Sequence, residues 1–446
     1  MRFPYMTTDH RTLLAFKNVA ASFFLRVFTG IITLILVPLT LKCLGEYNNG
    51  VWLTISGTLL WIENFDIGLG NGLRNRLCAY IANKDWDSAH LAVSTTFILL
   101  ILIMTTTMFA LLLIAHFCDV YSFFNISPIL IPNLHEILYA GIVLFCSTFI
   151  MKFIGNIYLG MQLPAVSNFL ITAGHPIILL GTYLMYINNI HSLLYITILN
   201  LATPLVIYIL AYPYTFYIKY PKLRPSLKSF NKSMAKELFS LGLLFFINQI
   251  TGSIVLLSSN ILISRWFSPA MVTPYQIAFR YFSIITLAFT LVFSPLWNAT
   301  TDAYERGDFD WIKKTIRKVN FMLGLFFMAI TLMVFISSFV YNIWIGGTTV
   351  IPFSITLSMA AYMMCLTTSL AYCYILNGMS KLRLQLYCTI IGTILYFISA
   401  PLLTYYIHNA SAIAISVSIA LLPNVICNNI QTRKVINGEA NGIWAK

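Results

Sequence analysis

The sequence predicts an all-α polytopic membrane protein with 12 transmembrane helices in two six-helix lobes and both termini in the cytoplasm. Three observations lead to this prediction: an apolar composition, a regular series of apolar stretches, and the distribution of lysine and arginine. Of the 446 residues, 59% are hydrophobic and only 9% are charged, whereas soluble domains carry about 25% charged residues. So few charges cannot cover the surface of a soluble protein, and the composition therefore excludes a soluble fold.

The apolar stretches recur along the whole chain and have the length of membrane-spanning helices. A helix needs about 20 apolar residues to cross a hydrocarbon core about 30 Å thick. Short connections separate the stretches, as in a helical bundle with little mass outside the membrane. The predicted spans cover 18–43, 49–71, 91–115, 137–160, 164–188, 192–217, 238–264, 271–297, 319–345, 350–377, 384–407 and 410–430.

The basic residues orient these spans. Lysine and arginine concentrate in the short cytoplasmic loops of membrane proteins. With a cytoplasmic N-terminus, 22 of the 27 lysines and arginines fall on the inner side, and only Lys42 and Arg265 fall in outer loops. This bias predicts an even number of spans. It also explains the net charge of +13 without a nucleic-acid partner, since the charge is spread over six cytoplasmic edges that face anionic headgroups.

The chain divides into two similar halves. The longest polar connection, residues 219–237, separates a predicted N-terminal lobe (1–218) from a predicted C-terminal lobe (238–446). The motif Lys84-Asp-Trp-Asp87 after the second span returns 223 residues later as Gly307-Asp-Phe-Asp310 after the eighth. Six spans return the chain to its starting side, so the repeats are parallel. In transporters built this way the substrate site lies between the halves and alternating access moves one against the other.

Apart from Lys42 at the outer end of the first span, which is counted with the outer loops, five charged residues lie inside the predicted spans. The basic ones are Arg26, Lys152 and Arg280, and the acidic ones are Glu63 and Asp66. A charge at the centre of a membrane helix costs about 2.5–3.5 kcal/mol on the insertion scale, so each needs a partner or a wet cavity. With three cations and two anions, at least one positive charge lacks a protein partner, which an anionic substrate would supply.

Two interpretations of these charges stay open. Arg26 forms a structural ion pair with Glu63 or Asp66, or the charged groups line a central hydrophilic cavity. Lys152 can also extend to the inner membrane surface, whereas an arginine such as Arg280 keeps its charge. Three amide side chains are further candidates for a polar cavity lining: Asn248, Gln249 and Gln276.

The sequence predicts no metal site, no cofactor and no catalytic group. The eight cysteines are scattered without a CxxC pair or a neighbouring pair of histidines, which argues against a metal site and against a disulfide framework. The seven histidines are isolated from one another. The largest outer connection, 116–136, carries only Asp119 and Glu136 as charged residues, which disfavours a membrane polymerase or glycosyltransferase.

Two stretches of the sequence resemble a known family. The stretch 44–85 contains a Gly-Glu-x-x-x-Gly-x-Trp turn (Gly45 to Trp52) followed by Asp66-Ile-Gly-Leu, and 268–314 contains the corresponding elements of the second half, with Tyr275, Gln276 and Arg280. Together they resemble the Wzx-type O-antigen and polysaccharide flippases of the MATE/MOP transporter superfamily. The similarity extends over nearly the whole chain.

The resemblance implies a function for the predicted cavity. Such flippases move undecaprenyl-pyrophosphate-linked oligosaccharide units from the cytoplasmic to the periplasmic leaflet of the bacterial inner membrane, and their lumen is cationic. Arg26, Lys152 and Arg280 are the positions that supply the cations here, and Glu63 and Asp66 would hold them between cycles or bind a coupling H⁺ or Na⁺. An O-antigen polymerase and a chain-length regulator are the implied protein partners.

Other functions remain as alternatives to the flippase. A MATE-like exporter of drugs or ions shares the architecture, but exporters of cations need buried carboxylates in excess, whereas the buried balance here is positive. A polymerase or glycosyltransferase of the same pathway is disfavoured by the small outer loops, and a structural scaffold is more distant still.

Overall fold

The computed structural model describes residues 8–62, 69–379, 381 and 383–445. Side chains are described from residue 21 onward within these ranges, apart from those of 71, 75, 82, 237, 239–253, 256, 291, 294, 295, 298 and 305. All regular secondary structure in these ranges is helical, so the predicted all-α class is confirmed.

Fourteen α-helices follow one another along the described residues. They are α1 (Thr8–Leu59), α2 (Leu69–Ala82), α3 (Trp86–Phe117), α4 (Val120–Phe124), α5 (Leu134–Gly160), α6 (Pro164–Thr172), α7 (Gly174–Ile187), α8 (Leu193–Pro213), α9 (Lys232–Trp266), α10 (Pro269–Glu305), α11 (Phe309–Ile345), α12 (Phe353–Gly378), α13 (Arg383–Ile407) and α14 (Ser411–Ile436). A π-helical turn, Tyr214–Lys219, extends α8, and short 3-10 helices lie at Pro221–Leu223 and Gly442–Ala445.

Nine helical segments in the described residues are long and apolar enough to cross a membrane. Many large apolar side chains on them are exposed, for example Phe335 on α11 and Leu102 on α3. Extended apolar surface of this kind is rare on soluble monomers and fits contact with lipid. The chain is therefore a multi-pass membrane protein, while the number of twelve spans and the cytoplasmic position of both ends stay predictions.

The turn predicted between the first two spans lies inside α1. Gly45 has φ 75° and ψ 170°, which interrupts the helix between two helical segments. A residue with a side chain rarely adopts such a positive φ, and there is no neighbouring atom within 4 Å of where its Cβ would stand. The glycine is needed here for its backbone conformation and not for close packing.

The chain forms two compact units, Met1–Ile250 and Thr251–Lys446. The boundary between them falls within α9, after the basic connection 219–237. The predicted lobes 1–218 and 238–446, and the internal repeat that relates them, stay predictions.

In the first unit, α5 packs against α2, α3, α6 and α8, while α1 packs on α6 and α7. The core forms where one face of α2 meets α5, and its side chains include Leu69, Leu73 and Leu77 from α2 and Phe153 and Ile157 from α5. The leucines recur every four residues and so share one helix face. This spacing explains why α2 packs against the bundle.

In the second unit, α12 packs against α10, α11 and α14, and α13 packs on α14. Phe289 and Phe293 of α10 stack at 4.0 Å between ring centroids. They pack with Leu323 of α11 and with Tyr372 and Leu376 of α12 in one buried cluster. This cluster holds α10, the helix that carries Arg280, in a fixed orientation within its unit.

The repeated motif found in the sequence has the same local structure at both positions. Asp85 is the N-cap of α3 and accepts a hydrogen bond from the Ser88 N–H at 3.0 Å, and Asp308 is the N-cap of α11 and accepts one from the Trp311 N–H at 2.9 Å. The residue before each aspartate has a positive φ, 61° at Lys84 and 71° at Gly307. The motif thus ends one helix and begins the next in each half.

Replacing the second of these caps should destabilise the protein measurably. For Asp308→Ala we expect a loss of about 1 kcal/mol in the free energy of unfolding, because an N–H at the start of α11 loses its acceptor. The midpoint of thermal unfolding of the purified protein measures this loss. Asp310→Ala, in the same turn but not at the cap position, is the matched control. An equal loss in both variants would contradict the capping role.

Candidate functional site

Arg280 lies on the half-buried face of α10. The helix begins at the N-cap Ser268, whose side chain accepts a hydrogen bond from the Met271 N–H. One face of α10 is fully packed, with Ala278 and Phe282 buried completely. Gln276 and Arg280 are one turn apart on another face, and both are half-buried. The packed face therefore fixes the direction in which these two polar side chains project.

An amide pair accompanies Arg280 in the second unit. The Gln276 Nε2 donates a hydrogen bond to the Asn260 Oδ1 of α9 at 2.6 Å, and Asn260 is buried. Gln276 was predicted to line a polar cavity, whereas Asn260 was not among the predicted residues. Its sequence signal is a single amide in the apolar stretch 254–263 of α9. The pair gives α9 and α10 a polar contact beside the arginine.

The Arg280 guanidinium has no counter-ion in the part of the chain that the structure describes. No hydrogen bond or ion pair of this group occurs there, whereas the exposed Arg306 pairs with Asp302 at 2.8 Å. The neighbouring Phe279 ring instead stacks on Tyr362 of α12, with centroids 6.3 Å apart. A half-buried guanidinium with five N–H donors and aromatic neighbours is suited to binding an anion from outside the chain.

Arg26 lies on α1 of the first unit, and its side chain is exposed. It shares a helix face with Thr29 and Thr33. The Thr29 hydroxyl lies 2.9 Å from the Thr172 hydroxyl of α6, so this face of α1 is polar where α6 packs against it. Arg26 therefore projects beside a polar contact between two helices and not from a wholly apolar surface.

Lys152 lies on α5 of the same unit and is half-buried. Its Nζ stands 5.5 Å from the centroid of the Phe149 ring, a cation–π contact. One turn earlier, the Thr148 hydroxyl donates to the Leu201 carbonyl of α8 at 3.2 Å. Lys152 thus lies on a face of α5 that packs near α8. Arg26 and Lys152 are therefore carried by two different helices, α1 and α5.

Several predicted site residues fall outside what the structure describes. These are Glu63 and Asp66, the predicted partners of Arg26, and the side chains of Asn248 and Gln249 on α9. The ion pair between Arg26 and either carboxylate therefore stays a prediction, as does a cavity lining by these two amides.

The described residues contain no group of three or more histidine, cysteine, aspartate or glutamate side chains that could hold a metal ion. All eight cysteines in that part of the chain are free thiols. The prediction that the protein uses no cofactor stays a prediction.

The chain is similar to known transporters in sequence and in fold. No family model matches the chain. A curated protein of Salmonella typhi named "Putative O-antigen transporter" is 24% identical over 343 residues, which is 74% of each chain. A protein of the same name from Salmonella typhimurium is 24% identical over 294 residues, and this match spans 64% of each chain, slightly less than two thirds.

Solved structures resemble the chain over almost its full length. The inward-facing structure of a multidrug resistance MATE family transporter of the MOP superfamily matches with a TM-score of 0.71 and 14% identity, covering 94% of this chain and 95% of that one. A MATE structure in a bent conformation matches with a TM-score of 0.60 and 14% identity, covering 97% and 99%. The chain has the fold of these MATE transporters. The predicted resemblance to O-antigen flippases of this superfamily is confirmed, and so is the prediction of a transporter and not an enzyme.

Proposed function

We propose that this transporter is a flippase for lipid-linked O-antigen or similar polysaccharide repeat units. It would move undecaprenyl-pyrophosphate-linked units from the cytoplasmic to the periplasmic leaflet of the bacterial inner membrane, by alternating access through a cationic cavity. The observation that carries the proposal is the half-buried Arg280, whose guanidinium has no counter-ion among the described residues. The curated relatives named as O-antigen transporters support the same substrate class.

A pyrophosphate is the anion that such an arginine fits well. A guanidinium presents parallel N–H donors that match two phosphate oxygens at once, and it stays charged when water is removed. The diphosphate link is the charged part of a lipid-linked sugar, and it must pass through the apolar layer during transport. Neutralising it there removes the largest cost of the movement, and the amides of Gln276 and Asn260 add polar groups suited to sugar hydroxyls.

Arg26 and Lys152 would supply further positive charge in the first unit. Each lies on a helix face that also carries a threonine bonded to a neighbouring helix, so the charges stand on firmly packed helices. In our proposal these residues and Arg280 contact the pyrophosphate in successive states of the cycle. Coupling to H⁺ or Na⁺ through Glu63 and Asp66, and cooperation with a polymerase and a chain-length regulator, belong to the same proposal.

A drug or ion antiporter is the second candidate, because the structural relatives are MATE transporters. The similarity to these structures is at 14% sequence identity, so it is evidence for the fold and not for the substrate. Exporters of organic cations need anionic binding groups. The charged side chains of the predicted spans that the structure describes are instead the cations of Arg26, Lys152 and Arg280. The cationic character of the candidate site thus favours an anionic substrate.

A leaflet-resolved assay in liposomes tests the proposal. The purified full chain is reconstituted with a fluorescent oligosaccharide on undecaprenyl pyrophosphate, and an impermeant quencher reports the fraction in the outer leaflet over time. We expect fast exchange with protein and slow exchange without it. The matched control substrate carries the same sugar on an uncharged polyprenyl ether. Equal exchange of both substrates, or transport of a cationic dye instead, would contradict the proposal.

A further inference from the structure

The basic connection between α8 and α9 is packed against the first unit over much of its length. The Ser226 N–H donates to the Ser94 hydroxyl at 3.1 Å, and the Asn231 N–H donates to the Thr95 hydroxyl at 3.2 Å. Leu223 is fully buried, beside α3. A segment that was predicted as a polar linker is therefore a fixed part of the surface at the start of α3.

Three cations of this segment lie over aromatic rings. The Lys219 Nζ stands 4.9 Å from the Tyr158 ring centroid and the Arg224 guanidinium 4.4 Å from that of Tyr217. The third is Lys222, whose Nζ is 5.9 Å from the ring of Trp86 at the start of α3. We call Lys219, Lys222 and Arg224 the basic edge. Rings attract a cation without neutralising it, so the basic edge keeps its full positive charge.

No carboxylate neutralises the basic edge within the described residues. None of its three side chains forms an ion pair there, in contrast to Arg306, which pairs with Asp302. The ring of Tyr220 also lies near Lys219. Burial is the main cause, and the nearby Tyr158 and Tyr214 the lesser one, that raises the pKa of the Tyr220 phenol to about 12. The phenol is neutral at physiological pH, and three positive charges remain available to a ligand.

Apolar side chains alternate with these cations and are exposed. Ile218 and Leu227 are each 73% exposed, and Tyr217 and Phe230 are also exposed. Basic groups interleaved with exposed aromatic and aliphatic groups are typical of segments that lie in a membrane interface, where the apolar groups enter the acyl region and the cations stay at headgroup depth. The surface is thus suited to an amphiphile and not to a free ion.

We propose that the basic edge binds the phosphate headgroup of an anionic phospholipid of the surrounding membrane. The guanidinium of Arg224 and the ammonium groups of Lys219 and Lys222 contact the phosphodiester, and Ile218 and Leu227 contact the start of the acyl chains. The ligand is an annular lipid and not the transported molecule. This inference does not depend on the proposed function, because lipid binding is measured without transport.

Native mass spectrometry of the full chain in detergent tests this site. The protein is titrated with dioleoylphosphatidylglycerol or with dioleoylphosphatidylcholine, and the apparent Kd of the first bound lipid is measured. Each lysine or arginine near an anionic surface contributes about fivefold in affinity. We therefore expect the variant Lys219→Gln/Lys222→Gln/Arg224→Gln to bind phosphatidylglycerol at least about tenfold more weakly, and phosphatidylcholine unchanged.

A triple variant with the same loss of charge is the matched control. Lys313, Lys314 and Arg317 are exposed basic residues of α11. The general attraction of basic residues to anionic lipid acts on both triplets, so we expect their replacement by Gln to weaken phosphatidylglycerol binding clearly less than replacement of the basic edge does. Equal losses in both triple variants would overturn the proposal, as would a wild type that binds the two lipids equally. Displacement of phosphatidylglycerol by millimolar inorganic pyrophosphate would overturn it in favour of a free-phosphate site. Should the first triple variant not fold, Arg224→Gln alone must weaken phosphatidylglycerol binding about threefold or more.

Discussion

Arg280→Ala should abolish most transport while leaving the protein inserted and folded. Removing one partner of a desolvated charge pair costs about 2–5 kcal/mol, so we expect the rate of lipid-linked oligosaccharide exchange in liposomes to fall by about 30-fold or more. In cells, O-antigen display should fall accordingly. Arg280→Lys keeps the charge but loses the paired N–H donors, and it should retain an intermediate rate.

Arg306→Ala is the matched control for this prediction. Arg306 is an exposed arginine beyond the end of α10, and it pairs with Asp302 at 2.8 Å. Exposed ion pairs of this kind contribute little to stability, so the rate should stay near that of the wild type. Undiminished exchange in Arg280→Ala, with normal amounts of protein in the membrane, would refute the role of this arginine.

Gly392→Ala should destabilise the second unit strongly. Gly392 lies where α13 crosses α14, and a Cβ at this position would overlap the carbonyl oxygen of Ala420. That oxygen belongs to the backbone of α14 and cannot rotate away, so the two helices must separate. Overpacking of this kind costs about 1–3 kcal/mol or more. We expect a clear fall in the thermal unfolding midpoint of the purified protein.

Gly324→Ala provides the comparison, because it makes the same chemical change in a helix without crowding. Gly324 lies in α11, and there is no neighbouring atom within 4 Å of where its Cβ would stand. The higher helix propensity of alanine, by about 1 kcal/mol, should leave the midpoint equal or higher. A similar fall in both variants would show that close approach of α13 and α14 is not the cause.

Some structural features could be predicted from local sequence because their causes are local. The motif at Asp308 was visible in the sequence as a repeat of the one at Asp85, and the structure adds that both aspartates are N-caps. The turn at Gly45 was expected between two apolar stretches. Such features depend on backbone conformation and hydrogen bonds within one or two turns of the chain.

Other features could not be predicted, because they depend on contacts between helices or on a single residue within an apolar stretch. The predicted span 164–188 is divided into α6 and α7 at Ala173. Pro176 has no N–H that could donate a helical hydrogen bond to the Thr172 carbonyl. The sequence thus contained a sign of the helix break, but it lay inside an apolar stretch. Asn260 could not be assigned to the site, because its contact with Gln276 depends on how α9 and α10 pack. The same holds for the fixed position of the basic connection on α3.

The π-helical turn at Tyr214–Lys219 determines the direction in which the side chains at the end of α8 and just after it project. Each residue of an α-helix turns the chain by about 100°, and a π-turn accommodates one extra residue without lengthening the helix by a full turn. A deletion or insertion of one residue between Pro213 and Lys219 would therefore rotate Lys219 away from the ring of Tyr158 on α5. The number of residues in this part of the chain is therefore constrained, in addition to the side chains that form the basic edge.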